Sequence, residues 1–206
     1  MKNTELVSKP SSQLALAKTK KLMGFTQKIL NKQGSLAVKK EDKALAQALI
    51  AGRYRDEGNG TVTDITTHLQ WQRFHVGERW ENEGVVGGRD KLTFEQAAEV
   101  AQQCNYLGYT DWRVPTIDEL KSLIYSSSGL PKTWNDTGEM CEGDYQKPTI
   151  CLEAFPWPDY TRSFVWSSSP GADDSNYAWF IYFNGGYTDV YGRYNDEHVR
   201  LVRSGQ

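Results

Sequence analysis

The sequence predicts an α+β domain preceded by a short basic helical segment, and three observations carry that prediction. Charge and aromatic residues are distributed unevenly: residues 1–52 hold ten Lys against Glu5, Glu41 and Asp42, a net of +7, leaving −9 for the rest of a chain whose total is −2. Phe25 is the lone aromatic residue of that first segment, and all seven Trp follow it, so residues 53–206 alone have the material for a substantial core. Short runs of alternating apolar and polar residues stand at both ends of residues 53–206, the pattern of half-buried strands. Between them lie two capping-box patterns, Thr93-Phe94-Glu95-Gln96 and Thr116-Ile117-Asp118-Glu119, in which a Thr hydroxyl and a Gln or Glu side chain satisfy the first free N–H groups of a helix.

The basic segment reads as two helices. Ser11 or Ser12 caps the first, over residues 11–33, where Ala15/Leu16, Leu22/Met23 and Ile29/Leu30 recur among lysines and Gly34 supplies a stop. The second runs from about Val38 to Ile50, with Leu45, Ala48 and Leu49 on one face. Two such helices cannot bury their apolar faces alone, so residues 11–50 are expected to form a homo-oligomer, with bracing of the following domain as the alternative. Lysine without arginine or interleaved aromatics offers no base-reading chemistry, and nucleic acid is not an expected partner.

The boundary falls near Gly52. Residues 53–60 form a turn-rich opening; Thr61 to Ile65 and Leu69 to Arg73 both alternate and make a hairpin around a turn at Asp64 to His68. Gly84 to Gly88 reads as a loop. The first capped helix should end near Tyr106. The second follows Pro115, which disfavours helix at Val114, and should end near Tyr125. Residues 128–161, with Pro131, Pro148, Pro156 and Pro158, read as a long ordered loop. Four strands close the domain: Phe164 to Ser168, Ala178 to Phe183, Tyr187 to Tyr191 and His198 to Arg203.

Several function classes find no support. His68, His75 and His198 stand beside no nucleophile motif, and no glycine-rich phosphate loop is present; the protein is expected not to be an enzyme. The three cysteines have no zinc spacing, and neither a metal nor another cofactor is expected. Cys141 and Cys151 are close enough in sequence for a disulfide if their loop folds back. No run approaches about 18 apolar residues and no secretory h-region opens the chain, so a cytoplasmic location without a membrane partner is expected. What stands out instead is the stretch from Asp173 to His198, rich in Asp, Asn, Ser, Tyr and Gly. Tyr supplies contact area at small entropic cost and Asn and Asp supply hydrogen bonds, the chemistry of an adaptable binding face. Asp173, Asp174, Asn176, Tyr187, Asp189, Tyr191, Tyr194, Asn195 and His198 are its candidate ligand-binding residues, with Trp179, Ile181 and Phe183 left for the core.

Gly58 to Asp64 followed by Leu69-Gln70-Trp71-Gln72, then Gly108-Tyr109-Thr110-Asp111-Trp112-Arg113-Val114-Pro115-Thr116 leading to Glu119-Leu120, then Trp166-Ser167-Ser168 and Val199-Arg200-Leu201-Val202-Arg203, resembles the Lcl C-terminal domain family over residues 53–206. The resemblance implies a C-type-lectin-like fold related to formylglycine-generating domains: two helices, small twisted antiparallel sheets and long ligand-bearing loops. It implies a binding module, as in the variable proteins of diversity-generating retroelements, whose last strands and loops form the varied surface, or as in adhesins that bind sulfated polysaccharides. The paired reactive cysteines of formylglycine-generating enzymes have no counterpart near this C-terminus. Many members have Cys where Leu201 stands, which would pair with a helix Cys such as Cys104; here Cys104 is expected as a buried free thiol, which favours a reducing compartment. Trp134-Asn135-Asp136 is similar to the calcium triplet of sugar-binding lectins, but no second acidic–amide triplet accompanies it and it reads as a plain turn.

The expected function is therefore non-enzymatic, receptor-like binding of a protein or glycan ligand by a Tyr/Asn/Asp surface, diversified by a retroelement. An adhesin-type polysaccharide module and a structural subunit assembled through its N-terminal helices are the alternatives. In the residues themselves, the Asp111-Trp112-Arg113-Val114-Pro115-Thr116 block reads as architecture: a core anchor, two flanking ion pairs and a turn into a capped helix.

Overall fold

The structure, a computed structural model, describes residues 49–125, 147–157 and 164–205. The expected helix over 11–33, the body of that over 38–50, Trp134-Asn135-Asp136 and most of the 128–161 loop lie outside those residues. The compact unit that contains the described residues begins at Leu49, ahead of the expected boundary at Gly52. Ile50 is not helical: it forms an antiparallel bridge with Tyr54 across a tight turn in which Ala51 and Gly52 take φ of 50° and 67°.

The described domain is α+β, with few helices and small antiparallel sheets. The first sheet contains β1 (Tyr54–Asp56), β2 (Thr61–Asp64), β3 (Leu69–Gln72) and β9 (Val202–Ser204) in the order β1-β2-β3-β9. The predicted hairpin is β2–β3, with Val62 opposite Trp71 and Thr63 opposite Gln70. β1 was not foreseen in the turn-rich opening; it pairs with β2, Tyr54 opposite Asp64. Gly60 between them is obligatory: φ is +84°, and a Cβ there would meet Trp80 and the Tyr106 hydroxyl at 2.6 Å.

Residues 84–88, expected as a loop, supply β5 (Gly84–Gly87), which pairs with β4 (Glu78–Glu81). Asn82 and Glu83 make their turn with φ of 50° and 60°, both left-handed as a two-residue hairpin demands, without the glycine that usually signals it.

The capped helices form where the Thr residues start them and stop sooner than periodicity suggests. α1 (Phe94–Gln103) has both capping-box hydrogen bonds at Thr93 and Gln96, and ends at Cys104, which is extended. α2 (Ile117–Lys121) has the same box at Thr116 and Glu119; the chain then turns so that Ile124 bridges Ile150.

The second main sheet is β6 (Phe164–Pro170), β7 (Tyr177–Tyr182) and β8 (Tyr187–Gly192), in that order and antiparallel throughout. The expected last strand from His198 shrinks to β9. Residues 198–201 bond to two neighbours instead: Val199 O and Leu201 O accept from Val76 N and Gln72 N, while His198 bridges Val165 of β6. This segment thereby joins the two sheets.

Two apolar clusters lie on the two faces of β6 and β7. Val165, Ile181 and Phe183 belong to one with Tyr54, Trp71, Leu120, Leu123 and Phe155. Trp166, Ala178 and Phe180 belong to the other with Ala97 and Ala101 of α1, Trp112 and Leu201. The Asp111 to Thr116 block is architecture, as expected. Trp112 Nε1 donates to Tyr106 O at 3.0 Å, Arg203 Nε to Asp111 at 2.8 Å, and Arg113 holds Glu119 through both carboxylate oxygens at 2.6 and 2.7 Å. Glu119 also accepts from Thr116 N, so one carboxylate fixes both the block and the start of α2; its pKa lies below the usual carboxylate range through Arg113 and the Thr116 N–H, against the opposing effect of burial.

Candidate functional site

Side chains alternate across a strand, and the register decides which of the predicted residues meet. Tyr182 lies opposite Phe164 on one side and Tyr187 on the other; Phe180 opposite Trp166 and Asp189; Ala178 opposite Tyr191. Tyr187, Asp189 and Tyr191 therefore share one side of β8, continuous with Phe164, Phe180 and Tyr182. Their rings interlock edge to face or tilted, with centroids 4.6 Å apart for Phe164–Tyr182, 5.2 Å for Tyr182–Tyr187 and 5.9 Å for Phe180–Tyr191, the geometry that aromatic quadrupoles favour. Phe180, beside Asp189 on this same side, is buried, whereas Tyr191 is 41% exposed and Tyr187 and Asp189 are half-buried. Of the residues expected for the core, Ile181 and Phe183 are buried and Trp179 is half-buried; Ala178 and Phe180 on the opposite face are buried as well, in the cluster with α1 and Trp112.

The electrostatics of this side are acidic. Asp189 Oδ1 accepts from Val190 N at 2.7 Å, and among the described residues Oδ2 makes no hydrogen bond. Burial, then Tyr182 and Asp189, push the Tyr187 phenol above its ordinary pKa, so it stays a neutral donor at physiological pH.

At the end of the sheet the loop before β7 and the turn after β8 meet. Asp173, Asp174 and Asn176 are exposed, and Tyr194 is 81% exposed. Asp174 Oδ1 accepts from the Asn176 backbone and side chain at 2.8 and 2.9 Å, and Asn195 Nδ2 donates to Gly192 O at 2.8 Å; these groups shape their own turns. Arg193, which the sequence reading missed, ties the region to α1. Its guanidinium lies 4.3 Å over the Phe94 ring, donates to Ser175 O at 3.0 Å and pairs with Glu95 at 2.7 Å. Tyr182 was also missed, although its alternation with Ala178 and Phe180 carried the signal, whereas Tyr177 lies on the other face of β7; nothing near Arg193 in sequence points to Phe94.

His198 does not join this surface. It is 5% exposed, its Nδ1 lies 3.2 Å from Asp90 O, and its ring is 5.8 Å from that of His75. The two histidines border a buried polar group centred on Arg200, which is fully buried. Arg200 Nη1 donates to Gln72 O at 2.8 Å and Nη2 lies 3.2 Å from His75 Nε2. Arginine only donates, so Nε2 must accept and the proton sits on Nδ1, 3.3 Å from Glu78 Oε2. Burial, Arg200, His198 and Arg89 hold the His75 pKa well below its ordinary value; this is a neutral histidine, not an ion pair. Burial also lowers Arg200, to about 9, which leaves it charged at neutral pH.

A pocket of about 290 Å³ opens between β3 and α1, lined by Gln72, Phe74, Val100, Cys104, Tyr106 and Leu201 among others. Cys104 and Leu201 are neighbours there. Cys104 is a free, half-buried thiol rather than the fully buried one expected, and Cys151 is free and buried; Cys141 lies outside the described residues. Among the described residues no group of three or more His, Cys, Asp or Glu is placed to hold a metal, and no helix is long and apolar enough to cross a membrane. In comparisons with known proteins, the model of the Lcl C-terminal domain matches residues 60–203. No curated protein and no solved structure matches.

Proposed function

The chain belongs to the Lcl C-terminal domain family, and from that premise we propose that it is a non-enzymatic, receptor-like binding protein whose ligand face is the outer side of β8. The observation that carries the reading is the common orientation of Tyr187, Asp189 and Tyr191 on one side of β8, beside the buried Phe180. Two half-rigid rings flanking a carboxylate offer contact area and a directional polar group at little entropic cost, and the exposed Asp173 and Tyr194 offer the same chemistry at the end of the sheet.

The finer proposal is a C-type-lectin-like domain whose face is diversified by a retroelement, in a cytoplasmic protein assembled through residues 11–50. Free Cys104 and Cys151 accord with a reducing setting. The face suits diversification because its residues sit on a sheet whose other contacts are apolar and buried, so side chains above can change without refolding the domain.

Sequencing the 3′ part of the gene across a population of the source organism tests this. Substitutions concentrated at codons 176, 187, 189, 191 and 195, with Trp179 and Arg200 constant, are expected. An invariant 3′ end would sink the diversification and leave a dedicated binder of one partner.

A further inference from the structure

Several arginines of this domain are held in the same way, between an aromatic ring and a carboxylate. Arg203 stacks 3.7 Å over Tyr109 and donates to Asp111 at 2.8 Å. Arg193 lies 4.3 Å over Phe94 and pairs with Glu95 at 2.7 Å, and Arg73 lies 4.5 Å over Trp80 and pairs with Asp56 at 2.6 Å. Arg53 repeats the motif with Tyr54 at 5.0 Å and Asp64 at 2.9 Å. A guanidinium suits such a site because its plane stacks on a π-face while its edge donates to an oxygen.

The outer side of β8 has the same ingredients without the cation. Tyr187 and Tyr191 flank Asp189 on one side of the strand, and among the described residues no Lys or Arg stacks on either ring. Asp189 Oδ2 is not hydrogen-bonded among the described residues, since Val190 N binds Oδ1. The loop before β7 and the turn after β8 carry the exposed Asp173, Asp174 and Asp196, while Arg193 of that turn is already committed to Phe94, Glu95 and Ser175 O. The face thus attracts cations and repels sulfate or phosphate groups within about a Debye length.

We propose that the Tyr187–Asp189–Tyr191 face binds an arginine side chain presented by a partner protein, the guanidinium stacking on a tyrosine ring and donating to Asp189. This rests on the reading of that face as the ligand surface and gives its partner a chemistry.

The test is calorimetric titration of the full chain with a hexa-arginine peptide, with hexa-lysine and with the citrulline counterpart. Hexa-arginine should bind saturably, hexa-lysine about fivefold more weakly because it cannot stack and donate together, and the citrulline peptide not measurably. Asp189→Asn and Tyr191→Ala should each weaken hexa-arginine by about fivefold with unchanged circular dichroism. Asp118→Asn, which removes an equally negative group that is 87% exposed on α2, should have no effect. Equal affinity for arginine and lysine peptides, or an equal loss in Asp118→Asn, would reveal diffuse attraction to an acidic domain and overturn the proposal. A photocrosslinker at position 194 that captures a partner through a segment lacking arginine would also overturn it while sparing the face as the ligand surface. Hexa-arginine binding that survives Asp189→Asn and Tyr191→Ala would remove the cation from this face altogether.

Discussion

The interior around Arg200 and the outer side of β8 are built from the same materials, aromatic rings beside charged groups, and they treat them oppositely. In the interior two of the three Arg200 nitrogens are answered from far away in sequence, by Gln72 O and His75, while among the described residues Nε has no hydrogen-bond partner; His75 reaches Glu78 three residues on, and Phe155 and Trp157 close over the guanidinium at 5.0 and 5.8 Å. On β8 the rings pack against neighbouring rings of the same sheet, Trp166, Phe180 and Tyr182, and among the described residues one oxygen of the carboxylate makes no hydrogen bond. A buried charge without partners costs several kcal/mol, about 3–5 when one member of a set is removed, so the interior is sensitive to the loss of any member. An exposed ring and carboxylate lose little when unpaired, which is what lets a surface wait for a ligand.

The contrast predicts a ranking of effects. Arg200→Ala should be the most damaging, lowering stability by about 3–5 kcal/mol in urea denaturation because it strips a carbonyl and His75 of their donor and leaves a cavity. Arg200→Met, which fills the space without charge, should recover part of that loss; full recovery would show that packing, not the hydrogen bonds, holds the site.

Acidification should act next. The His75 pKa is lowered in the fold, so below the unfolded value of about 6.5 the unfolded chain takes up a proton that the folded one refuses. Stability should then fall by about 1.4 kcal/mol per pH unit as pH drops below 6.5, until the folded pKa is reached. Urea midpoints at pH 7.5 and pH 5.5 measure this, and His75→Gln should flatten the difference. A slope that persists in the variant would move the titration to another group.

Tyr191→Ala should have the smallest effect on stability, under about 1 kcal/mol, because the ring is 41% exposed and Phe180 stays covered by α1. A loss near that of Arg200→Ala would erase the distinction between the two regions and make β8 structural.

What was legible in the sequence follows a physical division. Both helix starts were readable because a capping box closes within four residues, and the β2–β3 hairpin because its alternation and turn are contiguous. The β4–β5 hairpin was missed because Asn82 and Glu83 adopt left-handed conformations without a glycine to announce them. The last strand was overextended because residues 198–201 alternate like a strand yet bond to two different neighbours. In the candidate site, the composition from Asp173 to His198 singled out a stretch in which Tyr187, Asp189 and Tyr191 share a side. His198 was misplaced on that surface, since its burial depends on Asp90 and His75, far back in the chain.

By itself the sequence determined the division between a basic and an acidic part, the helix caps, the central hairpin and the three strands that carry the candidate face, since each depends on neighbours within a few residues or on summed composition. Only the tertiary structure decided that Arg200 and His198 are interior, that Arg193 ties the end of β8 to Phe94 of α1, and that Phe180 lies beside Asp189. Those facts are set by strand register and by contacts between segments separated by most of the domain, and no local preference encodes which distant group a side chain will meet.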